Sequence, residues 1–452
     1  MILKKLFVQN FRCFEQLEIE FDSKLTVIVA DNGVGKTTVL DAIAAGFGRI
    51  LTKLPKISGI ASKESDIRID VNEKRDPFLF YWLQAEQLPS KQLIEWGGLR
   101  KRDSSPKTLA YIKDNIDLEK ASVGRKQIDA YANLLIDAEN DEQPYVMPVI
   151  AYYGTNRALL EEVKRRRNFR KEFKRFDALS GALEPNARFK MAFEWFNSME
   201  DLERRRKEEM LDFNYRLPEL ETIRMAIENM LIGFHNPRTE IGPLRFVLDQ
   251  ILADGTIKTF RVTQLSDGYR VMLGLVIDLA RRMVQANPHL VKDGMTIANP
   301  LDLPAIVLID EIDLHLHPKW QQRVIGDLQR TFPGAQFIVT THSPQVLSMV
   351  RRENIRIIGM NSEGEMKAGY PLAMTYGKPS GDVMHSVMMV DPQPPIEEKP
   401  ALQRLTELVD QGLYETDEVQ YLMQNLIANL GEHHPQLQRL IRSIQRQKTL
   451  RQ

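Results

Sequence analysis

The chain has 452 residues, with 61 basic and 61 acidic side chains balanced to a formal net charge of zero. That length is enough for two or three domains with sizeable cores, and the balanced charge excludes nucleic acid or a membrane as a partner of the bulk surface, leaving only a local patch for either. A single cysteine, Cys13, excludes an intrachain disulfide and a cysteine-rich zinc site.

MILKKLFVQNF at the start lacks the long apolar stretch of a signal peptide. No apolar run reaches the roughly 18 residues that cross a bilayer. The chain therefore reads as a soluble cytoplasmic protein. Short strands are expected around residues 3–9, 17–21 and 25–29, together forming a mixed sheet in an N-terminal lobe. The third, LTVIV, runs into ADNGVGKTT (30–38), after which Val39, Leu40, Ile43 and Ala44 recur at helical spacing. Strand, glycine loop and helix is the order of a phosphate-binding loop. Its backbone N–H groups and the helix dipole hold phosphate oxygens. Lys36 would meet the β- and γ-phosphates, and the Thr37 hydroxyl would ligate Mg²⁺. The strict motif wants glycine at position 30, where the chain has Ala30. Alanine fits there if its φ is negative, since only a positive φ demands glycine.

Residues 51–148 hold strand-like FLFYWLQ (78–84) and a polar stretch around 100–125, and read as an insertion. A helical pattern spans 186–232 and breaks near Pro218. Before it lies the strongest basic run, KRRRNFRKEFKR (164–175), with Phe169 and Phe173 interleaved. It is a grip for the phosphate backbone of DNA, a solvated helix face, or a partner for acidic residues elsewhere. Strands return over 244–260 around the turn Asp254-Gly255, and LSDGYR (265–270) precedes a helical run over 271–283. AIVLIDE (305–311) describes a buried strand that delivers two carboxylates at its C-terminal end. Asp310 would hold Mg²⁺, and Glu311 would polarise the attacking water as general base. FIVTTHSP (337–344) is a second buried strand with His342 at its tip, within reach of a γ-phosphate and water. The pair His315 and His317 has no acidic or cysteine cluster beside it, so no metal beyond Mg²⁺ is implied.

A connector (371–390) leads to the stiff linker DPQPPIEEKP (391–400). Three amphipathic segments follow in 401–452. Leu402, Leu405, Leu408 and Val409 share a helix face; so do Val419, Leu422, Met423, Leu426, Ile427 and Leu430; so do Leu437, Leu440, Ile441 and Ile444. They either cover the rest of the chain or dock a partner, and the linker favours docking.

The phosphate loop, LSDG, IDE and TTHS, in that order, are similar to the ATP-binding-cassette head, and within it to the RecF/SMC/OLD branch. LSDGYR resembles that branch's signature, NFRCF (10–14) its N-terminal strand motif, and HLHP (315–318) its continuation after Walker B. The resemblance covers residues 1–50 and 240–350. It implies an α/β fold, an ABC-ATPase head with a mixed sheet plus an α/β core, a short helical insertion, no long coiled coil and a C-terminal helical extension. The lobes would be 1–150, a helical 151–240, and 241–370. It also implies ATP and Mg²⁺ as cofactors, with Asp31, Asn32, Gly33, Gly35, Lys36, Thr37 and Thr38 on the phosphates and Arg12 close to the nucleotide. Ser266 and Gly268 would close over the γ-phosphate of a second subunit, and Asp313 would lie in the loop joining the two sites. The partner so implied is a second copy, as a homodimer or higher homo-oligomer. The family carries a glutamine on a loop entering the helical lobe, whereas VIAYYGTNR (149–157) has none.

TYGKPSGDVMHSVM (375–388), with the helical tail, resembles the stand-alone PtuA-type ATPases paired with HNH nucleases in Septu anti-phage systems and some retrons. That resemblance implies an ATP-hydrolysing subunit that controls a separate nuclease of HNH type. The chain itself shows neither an acidic strand-end triad after the head nor an HNH context at His385, so no nuclease activity of its own is expected. Two alternatives stay open: a RecF-like DNA repair ATPase, and a scaffold locked by ATP without turnover.

Overall fold

Strand β1 (Ile2–Phe11) turns at Arg12 and Cys13 into β2 (Phe14–Glu20), with which it pairs antiparallel. Buried Leu17 and Ile19 alternate with exposed neighbours along β2, the period of a strand with one face on a core. The next strand, β3 (Leu25–Val29), is buried at every position and leads into helix α1 (Lys36–Lys53). The computed structural model describes residues 1–70, 74–157, 173–185, 189–240, 244–252, 254–292, 295–296 and 298–451. They fall into two units, Met1–Val383 and Met384–Gln452.

The three N-terminal strands expected in one mixed sheet divide between two. β1 and β2 join β4 (Phe78–Glu86) and β5 (Leu93–Lys101) in an antiparallel sheet of order β2-β1-β4-β5. β3 goes elsewhere because a strand apolar on both faces suits the interior of a parallel sheet covered on both sides. β4 comes from the stretch read as an insertion, yet it is hydrogen-bonded between β1 and β5 and so completes the sheet. The added layer is α2 (Pro106–Asn115), α3 (Leu118–Val123) and α4 (Lys126–Asn140). Ser105 and Asp117 cap α2 and α3 by accepting from backbone N–H groups in their first turns.

After β6 (Val149–Tyr153), helices α5 (Phe189–Met210) and α6 (Pro218–Met230) make the helical part. Pro218 opens α6, where its missing N–H costs nothing. The longest described helix, α5, has 22 residues, so no long coiled-coil arm lies among the described residues. β7 (Phe234–Glu240), β8 (Arg245–Ile251) and β9 (Ile257–Arg261) form a small antiparallel sheet. Helix α7 (Asp267–Ala286) is buried from Val271 to its end.

Short strands β10 (Val291–Lys292) and β11 (Met295–Thr296) precede the α/β core. The core runs β12 (Ala305–Ile309), α8 (Pro318–Gln321), α9 (Val324–Thr331), β13 (Ala335–Thr340), α10 (Pro344–Leu347), β14 (Ile355–Met360) and β15 (Met366–Gly369). Its sheet has the order β15-β14-β3-β13-β12-β6, parallel throughout except for β15. α11 (Ser380–Ser386) follows.

The second unit contains α12 (Lys399–Asp410), α13 (Asp417–Leu430) and α14 (Pro435–Arg451). Leu402, Leu405, Leu408, Val409, Tyr414, Val419, Leu426, Leu437 and Leu440 form one buried cluster, with Leu422, Met423, Ile427, Leu430 and Ile444 packed against it. The apolar faces expected to dock a partner therefore face one another. Three amphipathic helices in short succession bury their stripes most directly on each other.

Candidate nucleotide site

The parallel order β3-β13-β12-β6 brings the C-terminal ends of four strands side by side, the usual place for a ligand in an α/β sheet. The phosphate loop leaves β3. Gly33 has φ 80° and Gly35 φ 114°. A Cβ on Gly35 would stand 2.5 Å from Cys13 Sγ and from Phe14 Cζ, so neither its backbone nor its surroundings admit another residue. Ala30 is not among the positive-φ residues, and alanine is accommodated there. The Lys36 ammonium donates to the carbonyls of Ala30 (2.8 Å) and Asp31 (3.1 Å) within its own loop. Burial lowers its pKa below the usual lysine range, against the opposing charges of Glu311, Asp310, Asp31 and Asp313. Asp31, Asn32, Gly33 and Thr37 are exposed at the loop, and Thr38 is buried beneath it.

β12 delivers Asp310 opposite that loop. Thr37 Oγ1 donates to Asp310 Oδ2 at 2.7 Å, and Thr340 Oγ1 donates to Asp310 Oδ1 at 2.6 Å. Asp310 is 1% exposed. Among the described residues no cationic side chain lies within salt-bridge range of it. A buried carboxylate held by hydroxyls, with a second hydroxyl oxygen at the mouth, is an oxygen donor set that fits a hard cation such as Mg²⁺. Glu311 follows in the left-handed region, φ 46°. Its N–H donates to Thr340 Oγ1 at 2.7 Å. Thr341 Oγ1 donates to Asp313 Oδ1 at 2.5 Å, tying the turn after β12 to the tip of β13. His342 lies one residue further on, half-buried, its ring without a hydrogen bond among the described residues.

Arg12 lies in the turn against the start of α1, where Cys13 Sγ is 3.4 Å from the Val34 carbonyl. Its guanidinium is held by Asp41 (2.5 Å) and Asp66 (2.9 Å), and Tyr152 donates to the other Asp41 oxygen. Ser266 precedes α7 and is exposed, its hydroxyl not used as a cap. Gly268 backs onto the turn after β12: a Cβ there would be 2.6 Å from the His315 carbonyl oxygen. Tyr269 stacks edge-on against Trp320 at 4.6 Å, seating the same helix end on α8, which His317 caps. Most of the basic run 164–175 lies outside the described residues. Of its described end, Arg175 pairs with Glu139 and donates to the Ala286 and Tyr145 carbonyls.

Two features were not anticipated from the sequence. Arg157, in the turn after β6, reaches the backbone of Asp310 and Glu311. Asp278, buried in α7, binds Arg281, Arg282 and the hydroxyl of Tyr153 on β6. Both depend on the parallel register that sets Tyr153 opposite Ile309. The sequence signal available was a polar TNR, one glycine after the five residues VIAYY.

The sequence profile of the AAA domain family matches residues 5–231, half of the chain, which includes the phosphate loop and β6. The chain is 28% identical to the "Retron Ec83 probable ATPase" of Escherichia coli, over 94% of this chain and 83% of that one. It is 26% identical to the "Retron Vc95 probable ATPase" of Vibrio cholerae serotype O1 biovar El Tor, over 84% and 78% respectively. It is 24% identical to the Septu protein PtuA of Bacillus mycoides, over 80% of this chain and 41% of that one. Among solved structures it is similar to the SMC head domain from Thermotoga maritima, at 16% identity and a TM-score of 0.40, covering 82% of this chain and all of that one.

Proposed function

We propose an ATP-driven role for this chain, which belongs to the AAA domain family: it binds and hydrolyses ATP as a subunit of an anti-phage defence complex. The observation that carries the reading is the convergence of Lys36, Thr37, Asp310 and Glu311 at the ends of β3 and β12. With ATP bound, Lys36 exchanges its loop carbonyls for the β- and γ-phosphates, and the loop N–H groups hold phosphate oxygens. Thr37 and Asp310 would hold Mg²⁺, which would supply positive charge to offset that of the phosphates. Glu311 orients a water and accepts its proton as the water oxygen bonds to the γ-phosphorus and the bond to ADP breaks. His342, beyond the tip of β13, contacts the γ-phosphate in this reading. Ser266 and Gly268 act on the site of a second copy, so ATP promotes association and hydrolysis releases it. The relatives' retron and Septu names support placing this cycle in defence, where it governs a separate nuclease of HNH type.

The test is Lys36→Ala. Removing the loop's cation should weaken ATP binding at least about tenfold, the loss of one charged hydrogen bond of about 1.5–3 kcal/mol. The circular dichroism spectrum should not change. Unchanged affinity by titration calorimetry would sink the reading.

A further inference from the structure

We infer that Arg157 is a positioning residue for ATP hydrolysis, acting through the backbone of Glu311; the inference rests on the ATPase reading above. The Arg157 side chain leaves the turn after β6 and is 6% exposed. One terminal nitrogen, Nη1, donates to the carbonyls of Asp310 (2.6 Å) and Gly154 (3.2 Å), and the other, Nη2, donates to the carbonyl of Glu311 (2.8 Å). Among the described residues no carboxylate is within salt-bridge range of it. Its Nε has no hydrogen-bond partner among the described residues. A buried guanidinium without an ion pair is costly. This one is balanced only by carbonyls and by the nearby charges of Asp310, Glu311 and Asp313.

An ordinary structural arginine closes a turn or a helix end. Arg157 closes its own turn through the Gly154 carbonyl, but the other two carbonyls it grasps belong to the two residues whose side chains are the acids of the site. Glu311 also has the left-handed φ of 46°, a conformation that a long side chain rarely adopts unless its surroundings impose it. Both of its peptides are pinned. Its N–H is held by Thr340 at the end of β13, and its carbonyl by Arg157 from the turn after β6, on opposite sides of β12. Fixing the two flanking peptides fixes φ and ψ of Glu311, and with them the direction in which its carboxylate leaves the chain.

The platform beneath Arg157 is itself rigid. Asp310 N–H donates to the Tyr153 carbonyl at 2.8 Å, and Gly154 N–H donates to the Pro185 carbonyl at 2.9 Å. A Cβ on Gly154 would stand 2.6 Å from Pro185 Cβ, so this turn is pressed against the 182–185 segment.

The experiment compares full-length wild type, Arg157→Met and Arg157→Lys for Mg²⁺-ATP affinity, kcat and melting temperature. The nucleotide contacts are untouched in both variants, so ATP affinity should stay within about threefold of wild type, less than one hydrogen bond is worth. In Arg157→Met, kcat should fall about 100-fold, the order expected when a reacting group is misplaced by about 1 Å. Arg157→Lys should recover part of that loss, because an ammonium reaches one of the carbonyls without bridging them. Wild-type kcat in Arg157→Met overturns the inference. So does a parallel fall of affinity, kcat and melting temperature in both variants, which marks a residue that only holds the fold. A wild type without ATP turnover removes the ATPase reading and this inference together, and it is recognised before any variant is made.

Discussion

The two units of the chain bury different things. The first keeps Asp310, Asp278, Arg281, Arg157 and Lys36 away from water. In the second, every described residue that is buried is apolar or is Tyr414, and its ion pairs, such as Arg404 with Glu418, lie on the surface. Burying a charge is expensive, and one that stays buried needs partners placed around it. Hydrocarbon has no such requirement and needs only volume. The contrast separates a unit arranged around chemistry from one arranged around its own packing, and substitutions in each should fail differently.

The largest effect is expected at Glu311→Gln. It keeps the shape and removes the proposed base, so kcat should fall about 10²–10⁴-fold while ATP remains bound. If Ser266 and Gly268 serve a second copy as proposed, the trapped state should be associated. Sedimentation in Mg²⁺-ATP should show more association than wild type. Unchanged turnover, or no added association, removes Glu311 from the role assigned to it.

Asp278→Asn comes next. It leaves Arg281 and Arg282 buried with their common partner gone, which should cost about 3–5 kcal/mol of stability. The charge is also visible in pH. Burial alone would raise the Asp278 pKa, but Arg282 and Arg281 outweigh it and hold the carboxyl down to about 2, from an ordinary 3.8. A depressed folded-state pKa gives stability that is complete above the unfolded value and is lost as pH falls toward the folded one. Between about pH 4 and 2 the wild type should therefore lose about 2 kcal/mol that the variant never had. Denaturant midpoints of the two proteins should converge over that window. A constant gap would show that the cluster is not charged as drawn.

What the sequence reveals follows the same division. The phosphate loop is legible because its glycines, Lys36 and Thr37 act locally, within one turn of chain. Asp310 and Glu311 are legible only in company: a strand ending in two acids is common by itself, and its place between LSDG and TTHS, after the phosphate loop, singles it out. Arg157 is not, since its worth lies in carbonyls 153 and 154 positions away. Those are brought near by the register of β6 on β12. Asp278 is hidden for the same reason. Within α7 it reads as a polar interruption of an apolar helix. β7 is not legible as a strand, because FHNPRTE carries an asparagine and a proline where a strand pattern wants β-branched residues. In the second unit the periodicity gave the right faces. A periodic stripe says that a face is buried, not what it is buried against.

The smallest effect, and the sharpest test of the contrast, is Leu405→Ala. Leu405 is fully buried within the cluster shared by α12, α13 and α14. Truncating a buried leucine costs about 2–5 kcal/mol, from lost burial plus the cavity left behind. A core this small rarely supplies more than about 3–5 kcal/mol in all. One substitution should therefore loosen the second unit, seen as fast proteolysis confined to residues 384–452 and rapid amide exchange in the three helices. ATP affinity and kcat should stay at wild-type values, because no group of the nucleotide site belongs to that unit. If turnover falls with Leu405→Ala, the packing of the second unit is coupled to the chemistry of the first. The charge buried around β12 would then answer to more than its immediate neighbours.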